Sequence, residues 1–293
     1  MKKEIVVLFL FFMTSVLMIT GCSGCEEDKK SEQEEFMPEA QGENTDPVGY
    51  QVEKAQNIFA YNIEERKKRA VVRTPCDTIA LMEHILRTYP PGTYLVDLDP
   101  RYTYSIPQSA VIYQKALGGT YVYALVAKSR AGERLVEPKN LIGYDASFID
   151  LDSTKLGTAF FYLTLFRCTD SSFTTLWEST LPNHGGFNTL TMKKWKNTPY
   201  VEAYFHYARG IGRLEYNFFM IDSLTKPPHL LLTIETINRK RSVADINGDK
   251  YPDYYENFYL DTGDRIVKYD SVGFVWRDSL YYSIRDKNKT TKY

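Results

Sequence analysis

The chain has 293 residues, 43% of them hydrophobic, and its 36 Lys and Arg against 37 Asp and Glu leave a formal net charge of −1. That length suffices for one sizeable domain or two small ones, and so even a charge balance does not demand a nucleic-acid partner. No Gly-x-Ser-x-Gly, His-Glu-x-x-His or phosphate-cradling glycine loop occurs, and the four histidines, at 84, 184, 206 and 229, lack metal-ligand spacing. The common signatures of hydrolases, zinc proteases and nucleotide enzymes are therefore missing.

The first element is an export signal. Lys2 and Lys3 precede an apolar run from Ile5 to Ile19, too short for a membrane span of about 20 residues, and "ITGC" follows. A basic start, an apolar middle and small residues at the cut make residues 1–21 a secretory signal. Its end resembles the lipobox of bacterial lipoproteins. That resemblance implies diacylation of Cys22, which becomes the mature N-terminus, and a lipid-anchored protein of the bacterial outer membrane. Residues 22–48 carry nine acids against two lysines and almost nothing apolar, the composition of a disordered acidic tether. An acidic run directly after such a cysteine also resembles a surface-export signal, so the periplasmic and the surface face both stay open.

Residues 49–94 read as a mixed helical segment. Thr74 as N-cap, Pro75 in the first turn and Asp77 as capping-box acid precede Ile79, Met82, Ile85 and Leu86 at helical spacing, so the pattern predicts a short helix to about Tyr89, stopped by "PPG". His84 within it reads as structural. The basic clusters "RKKR" at 66–69, "KKWK" at 193–196 and "NRKR" at 238–241 read as solvated turns and faces, not as polyanion contacts. Of the four cysteines, Cys25 falls in the tether. Cys76 and Cys168 either form a disulfide, as an exported chain allows, or stay as buried thiols.

From 95 to 293 the texture is aromatic and β-branched runs split by Gly, Asp, Asn and Pro, the pattern of strands and turns. A unit recurs: "VDLDPRYTYS" from Val96, "IDLDSTKLGT" from Ile149 and "ADINGDKYPD" from Ala244, with a degenerate copy "KWKNTPYVEAYF" between the last two. Each precedes a strand, a turn and a strand, as in "AVIYQKALGGTYVYALV" and "YYENFYLDTGDRIVKY". About four strands in about 50 residues is the size of a propeller blade. The expected fold is mainly β, a propeller-like repeat of about four blades, with a β-sandwich as the alternative.

These units resemble the FG-GAP or VCBS-type calcium-binding repeats of integrin-like β-propellers, in which an Asp-x-Asp/Asn-x-Asp loop holds one Ca²⁺ per blade. By position the resemblance implies Asp245, Asn247, Asp249 and Asp253 as ligands, with the backbone carbonyl of Tyr251. Asp150 and Asp152 keep the start of the pattern, but Thr154 and Thr158 replace later acids, so that loop has lost its metal. Asp97 and Asp99 read as a decayed copy. Independently of the resemblance, Ca²⁺ takes six to eight oxygens from a curling loop, and Glu256 stands at position 12, where an EF-hand has a bidentate glutamate. Gly248 at position 4 and strand-like flanks depart from that hand. An Asx-rich turn without metal is the alternative, because Asp, Asn, Gly and Pro are ordinary turn residues.

The expected function is a non-enzymatic, lipid-anchored module that binds a protein or a glycan at the envelope, with calcium holding one loop. Two alternatives stand beside it: an envelope enzyme acting on glycan or peptide, and a structural subunit of an outer-membrane complex.

Overall fold

The structure is a computed structural model that describes residues 47–116, 118–133, 135–136, 158–170, 172–182, 187–207 and 212–293. Cys22, Cys25, Asp150, Asp152 and His184, which carried expectations above, lie outside the described residues.

Two helices lead. Helix α1 spans Pro47–Arg69, starting one residue before the expected end of the tether, and α2 spans Thr78–Thr88. The cap of α2 differs from the expected one. Asp77 is itself the N-cap, its Oδ1 accepting the Ala80 N–H at 2.8 Å, and Thr74 opens the turn before it. A carboxylate at the N-cap meets unpaired amide donors and the positive end of the helix dipole, which outbids a threonine three residues earlier. The chain then breaks at Pro90, Pro91 and Gly92. Gly92 has φ +81°, and a Cβ there would stand 2.7 Å from Ser129 Oγ, so only glycine serves.

Among the described residues fourteen strands follow, in two antiparallel sheets. The first contains β1 Thr93–Leu95, β2 Val111–Ala116, β3 Gly119–Ser129, β4 Ala159–Thr169 and β5 Ser172–Leu181. Its path is β1-β3-β4-β5, and β2 pairs further along β3. The second runs in sequence order through β6 Thr189–Trp195, β7 Thr198–Tyr207, β8 Gly212–Phe219, β9 His229–Glu235, β10 Arg239–Ala244, β11 Asp253–Asp261, β12 Ile266–Arg277, β13 Leu280–Ser283 and β14 Thr290–Thr291. The strand pairs read from the sequence are hydrogen-bonded neighbours: β2 with β3, β4 with β5, β7 with β8, and β11 with β12.

The chain is mainly β, as expected, but the pairing unit is not a four-stranded blade. Five and nine strands pair continuously, and neither sheet closes among the described residues. In the second sheet each strand pairs with its predecessor, whatever the sequence period, because the nearest partner costs least loop entropy. The weakest seam is β9 to β10, where Glu235 opposite Lys240 is the one paired position.

One hydrophobic core takes in α1, α2, both faces of β3 and the early strands of the second sheet. Residues 122–127 are buried throughout, because the helices lie over one face and the second sheet lies against the other. On the helix side a disulfide joins Cys76 to Cys168, with Cα atoms 5.9 Å apart, and His84 meets the Phe166 ring edge-on at 6.0 Å. On the other side the Trp177 indole donates to the Leu224 carbonyl at 2.9 Å. A second cluster forms around Phe219, Leu231, Tyr254, Phe274 and Tyr281, so the C-terminal hairpins pack against β8 and β9.

Candidate metal-binding loop

The sequence-predicted ligands sit in the connection between β10 and β11, residues 245–252. Successive Asx turns shape it: Asp245 Oδ1 accepts from Gly248 N at 2.8 Å, Asn247 Oδ1 from Asp249 N at 2.9 Å, and Asp249 Oδ1 from Tyr251 N at 2.6 Å. Gly248, at φ +78°, lets the chain reverse between the first two. Asp245, Asn247 and Asp249 are thus brought together at one exposed turn.

Asp253, the first residue of β11, does a different job. Its Oδ2 accepts from Ile246 N at 2.8 Å and Asn247 N at 3.3 Å, and its Oδ1 from Trp276 N at 2.9 Å. The side chain is fully buried, and burial pushes the carboxyl up against the opposing pull of those three donors. It clamps both ends of the loop to β12. Glu256 lies outside the loop altogether. It is opposite Arg241 in the β10–β11 ladder, buried, and its Oε1 is held by Arg239 and Arg241. Glu256 faces away from the loop for a geometric reason: after Asp253 the chain is a strand, and a strand residue three further on turns its side chain to the opposite face.

The cation that reaches the loop comes from elsewhere in the chain. Lys196, in the β6–β7 connection, pairs with Asp245 Oδ2 and holds that carboxyl below the usual range. Lys250, the loop's own lysine, turns outward to Asp222 at 2.5 Å in the β8–β9 connection. Three neighbouring connections are therefore tied together by charge. Beneath them lies an aromatic floor. His229 meets the Trp276 ring edge-on at 4.4 Å and the Tyr251 ring at 5.6 Å. The Tyr281 hydroxyl donates to the Pro252 carbonyl at 3.0 Å, so at 2.7 Å it accepts from His229 Nε2–H, which leaves a neutral ring with a bare Nδ1. Burial pushes this histidine down to about 4. Sequence reasoning missed Lys196, His229, Trp276 and Tyr281; the only signal was that "KKWK" placed a cation near an aromatic residue.

The loop oxygens are of the hard kind that Ca²⁺ takes. As folded they are turned to loop N–H groups and to Lys196, and among the described residues no three His, Cys, Asp or Glu side chains converge as metal donors. A bound ion has to displace Lys196 from Asp245. The other aspartate pair offers no such loop: Asp97 is held by Arg66 at 2.6 Å and Ser109 at 2.7 Å, and buried Asp99 by Arg101 and Asn188. The basic clusters are also engaged internally, through Arg66 to Asp97, Lys67 to Glu83, Lys193 to Glu202, and Arg239 to Glu256. Among the described residues no helix is long and apolar enough to cross a membrane. No protein-family model matches the chain, and neither a curated protein nor a solved structure does.

Proposed function

We propose that this protein is a lipid-anchored binding module of the bacterial cell envelope, working by contact and not by chemistry, and that calcium stabilises its 245–253 loop. In this reading Cys22 carries the lipid at the outer membrane and residues 22–48 serve as the tether. The FG-GAP-like loop sits on an open sheet in place of a closed propeller. The observation that carries the calcium assignment is Lys196: the fold already brings a positive charge to Asp245, from another connection, to offset the loop's carboxylates. A divalent ion offsets more charge and is bound by several oxygens at once. Extracellular calcium modules bind at about 10⁻⁴ to 10⁻³ M, which suits a structural ion.

Thermal unfolding of the chain with and without millimolar Ca²⁺ tests the assignment. Calcium is expected to raise Tm, Asp249→Ala to abolish the rise, and Lys196→Ala to enlarge it by removing the competing ammonium. An identical melting curve with and without calcium in the wild-type chain ends the calcium assignment. Mass spectrometry of the mature N-terminus tests the anchor, and an unmodified Cys22 ends it.

A further inference from the structure

The link between α1 and α2, residues 70–77, differs from the exposed turns that join strands. Val71 is 97% exposed and Val72 79%, and Arg73, Thr74 and Pro75 are exposed after them. The Ala70 N–H still closes the last helical turn on Arg66 O at 3.1 Å, and the Asp77 N–H meets Thr74 O at 3.1 Å. Between them, among the described residues, the backbone of Val71, Val72 and Arg73 makes no hydrogen bond. Other exposed basic turns are closed by their own backbone. Arg130 N donates to Thr158 O at 2.8 Å, Arg265 O accepts from Thr262 N at 3.1 Å, and Lys287 lies inside the turn from Lys289 N to Asp286 O at 3.0 Å.

Charge singles out one residue of this link. Within "RKKR", Arg66 is turned to Asp97, Lys67 to Glu64 and Glu83, and Lys68 to Glu65. Arg69 is exposed and, among the described residues, in no ion pair. Arg73 is engaged by Asp77, the N-cap of α2, at 2.5 Å. An endopeptidase takes its substrate as an extended strand, through the free N–H and C=O groups of the chain. One specific for arginine grips the guanidinium with a carboxylate. Arg69 offers the free cation and the residues after it the free backbone, and the last turn of a helix opens at little cost.

We propose that Arg69–Ala70 is a processing site for an arginine-specific endopeptidase. Water adds across that amide: the C–N bond breaks, Arg69 keeps the new carboxylate and Ala70 the new amine. Downstream, the Cys76–Cys168 bridge holds the start of α2 to β4, so the sheets keep their cover. Upstream, α1 contains no cysteine, so the cut removes its covalent link to the sheets. What remains is Ala55, Phe59 and Ile63 in the core and the Arg66–Asp97 and Lys67–Glu83 pairs. So few anchors make a complex that separates on dilution. The cut therefore frees residues 70–293 from the part of the chain that carries Cys22. That release rests on the lipid-anchored reading; the cut itself does not.

Clostripain, which cuts after arginine, tests it at a low ratio to the native full chain in its membrane fraction. The first cut is expected after Arg69, read by sequencing a new N-terminus at Ala70, and the body is expected to move from the pellet to the supernatant. Arg69→Gln should slow the first cut at least about tenfold, because the pocket loses its cation, and should melt as wild type does. Arg265→Gln in the β11–β12 turn should leave the first cut unchanged. A first cut in another turn, or an Arg69→Gln chain cut at the same place and rate, overturns the site. A body that stays in the pellet after the cut overturns the release. A chain already in the supernatant before the cut overturns the lipid anchor instead, and the new N-terminus still decides the site.

Discussion

In the connection after β1, Asp97 meets the Arg66 guanidinium and the Ser109 hydroxyl, and Asp99 meets Arg101 and Asn188. In the connection after β10, Asp245, Asp249 and Asp253 meet backbone N–H groups, with Lys196 as the one cation on Asp245. The two stretches read alike as Asp-x-Asp/Asn. They differ in what surrounds them. The first lies under α1, whose last turn delivers Arg66, while the second lies at a sheet end where the nearest donors are the loop's own amides. Guanidinium-paired carboxylates are used up; amide-bound ones keep lone pairs for an ion.

The largest effect separates the two regions by covalent support. The Cys76–Cys168 bridge spans 92 residues on the side of the first connection, and none is found at the second among the described residues. Removing it with Cys168→Ala should lower unfolding free energy by about 4–5 kcal/mol on the chain-entropy model, read by urea denaturation. An unchanged midpoint breaks the idea that the bridge holds the helices to the sheet.

Asp253→Ala comes next, at about 3 kcal/mol, because three backbone donors lose a charged acceptor at once. Asp99→Ala should cost less, about 2 kcal/mol, since Arg101 can turn to water. Equal losses at both sites erase the contrast between clamp and cap.

Acidity sharpens the same contrast. His229 stays neutral in the fold, with its value depressed from 6.5 to about 4, so its contribution is whole above pH 6.5 and is lost as pH falls through 4. That loss should reach about 3 kcal/mol and vanish in His229→Gln. A wild type with flat stability from pH 7 to 4 refutes it. The smallest effect is Asp245→Ala in calcium-free buffer, which should leave the denaturation midpoint where it was; a clear drop would mean the Lys196 pair is structural.

Much of the fold could be read locally. Alternation marked the hairpins β2–β3, β4–β5, β7–β8 and β11–β12, and helical spacing put the end of α2 at about Tyr89, one residue past its last residue, Thr88. The site was legible to the same depth. Asp245, Asn247 and Asp249 could be placed in one turn because turn chemistry acts over three or four residues. Glu256 could not be excluded, because its partners Arg239 and Arg241 reach it only through strand pairing.

The order of residues by itself determined where strands and turns fall and which oxygens crowd at 245–249. Only the tertiary structure decided that the strands run as two continuous sheets and not as blades, that Lys196 answers Asp245, and that Arg239 and Arg241 hold Glu256. The reason is range: hydrogen-bonded turns and side-chain alternation act between near neighbours along the chain, while sheet order, charge pairing and shared faces depend on which distant segments the burial of apolar surface brings together.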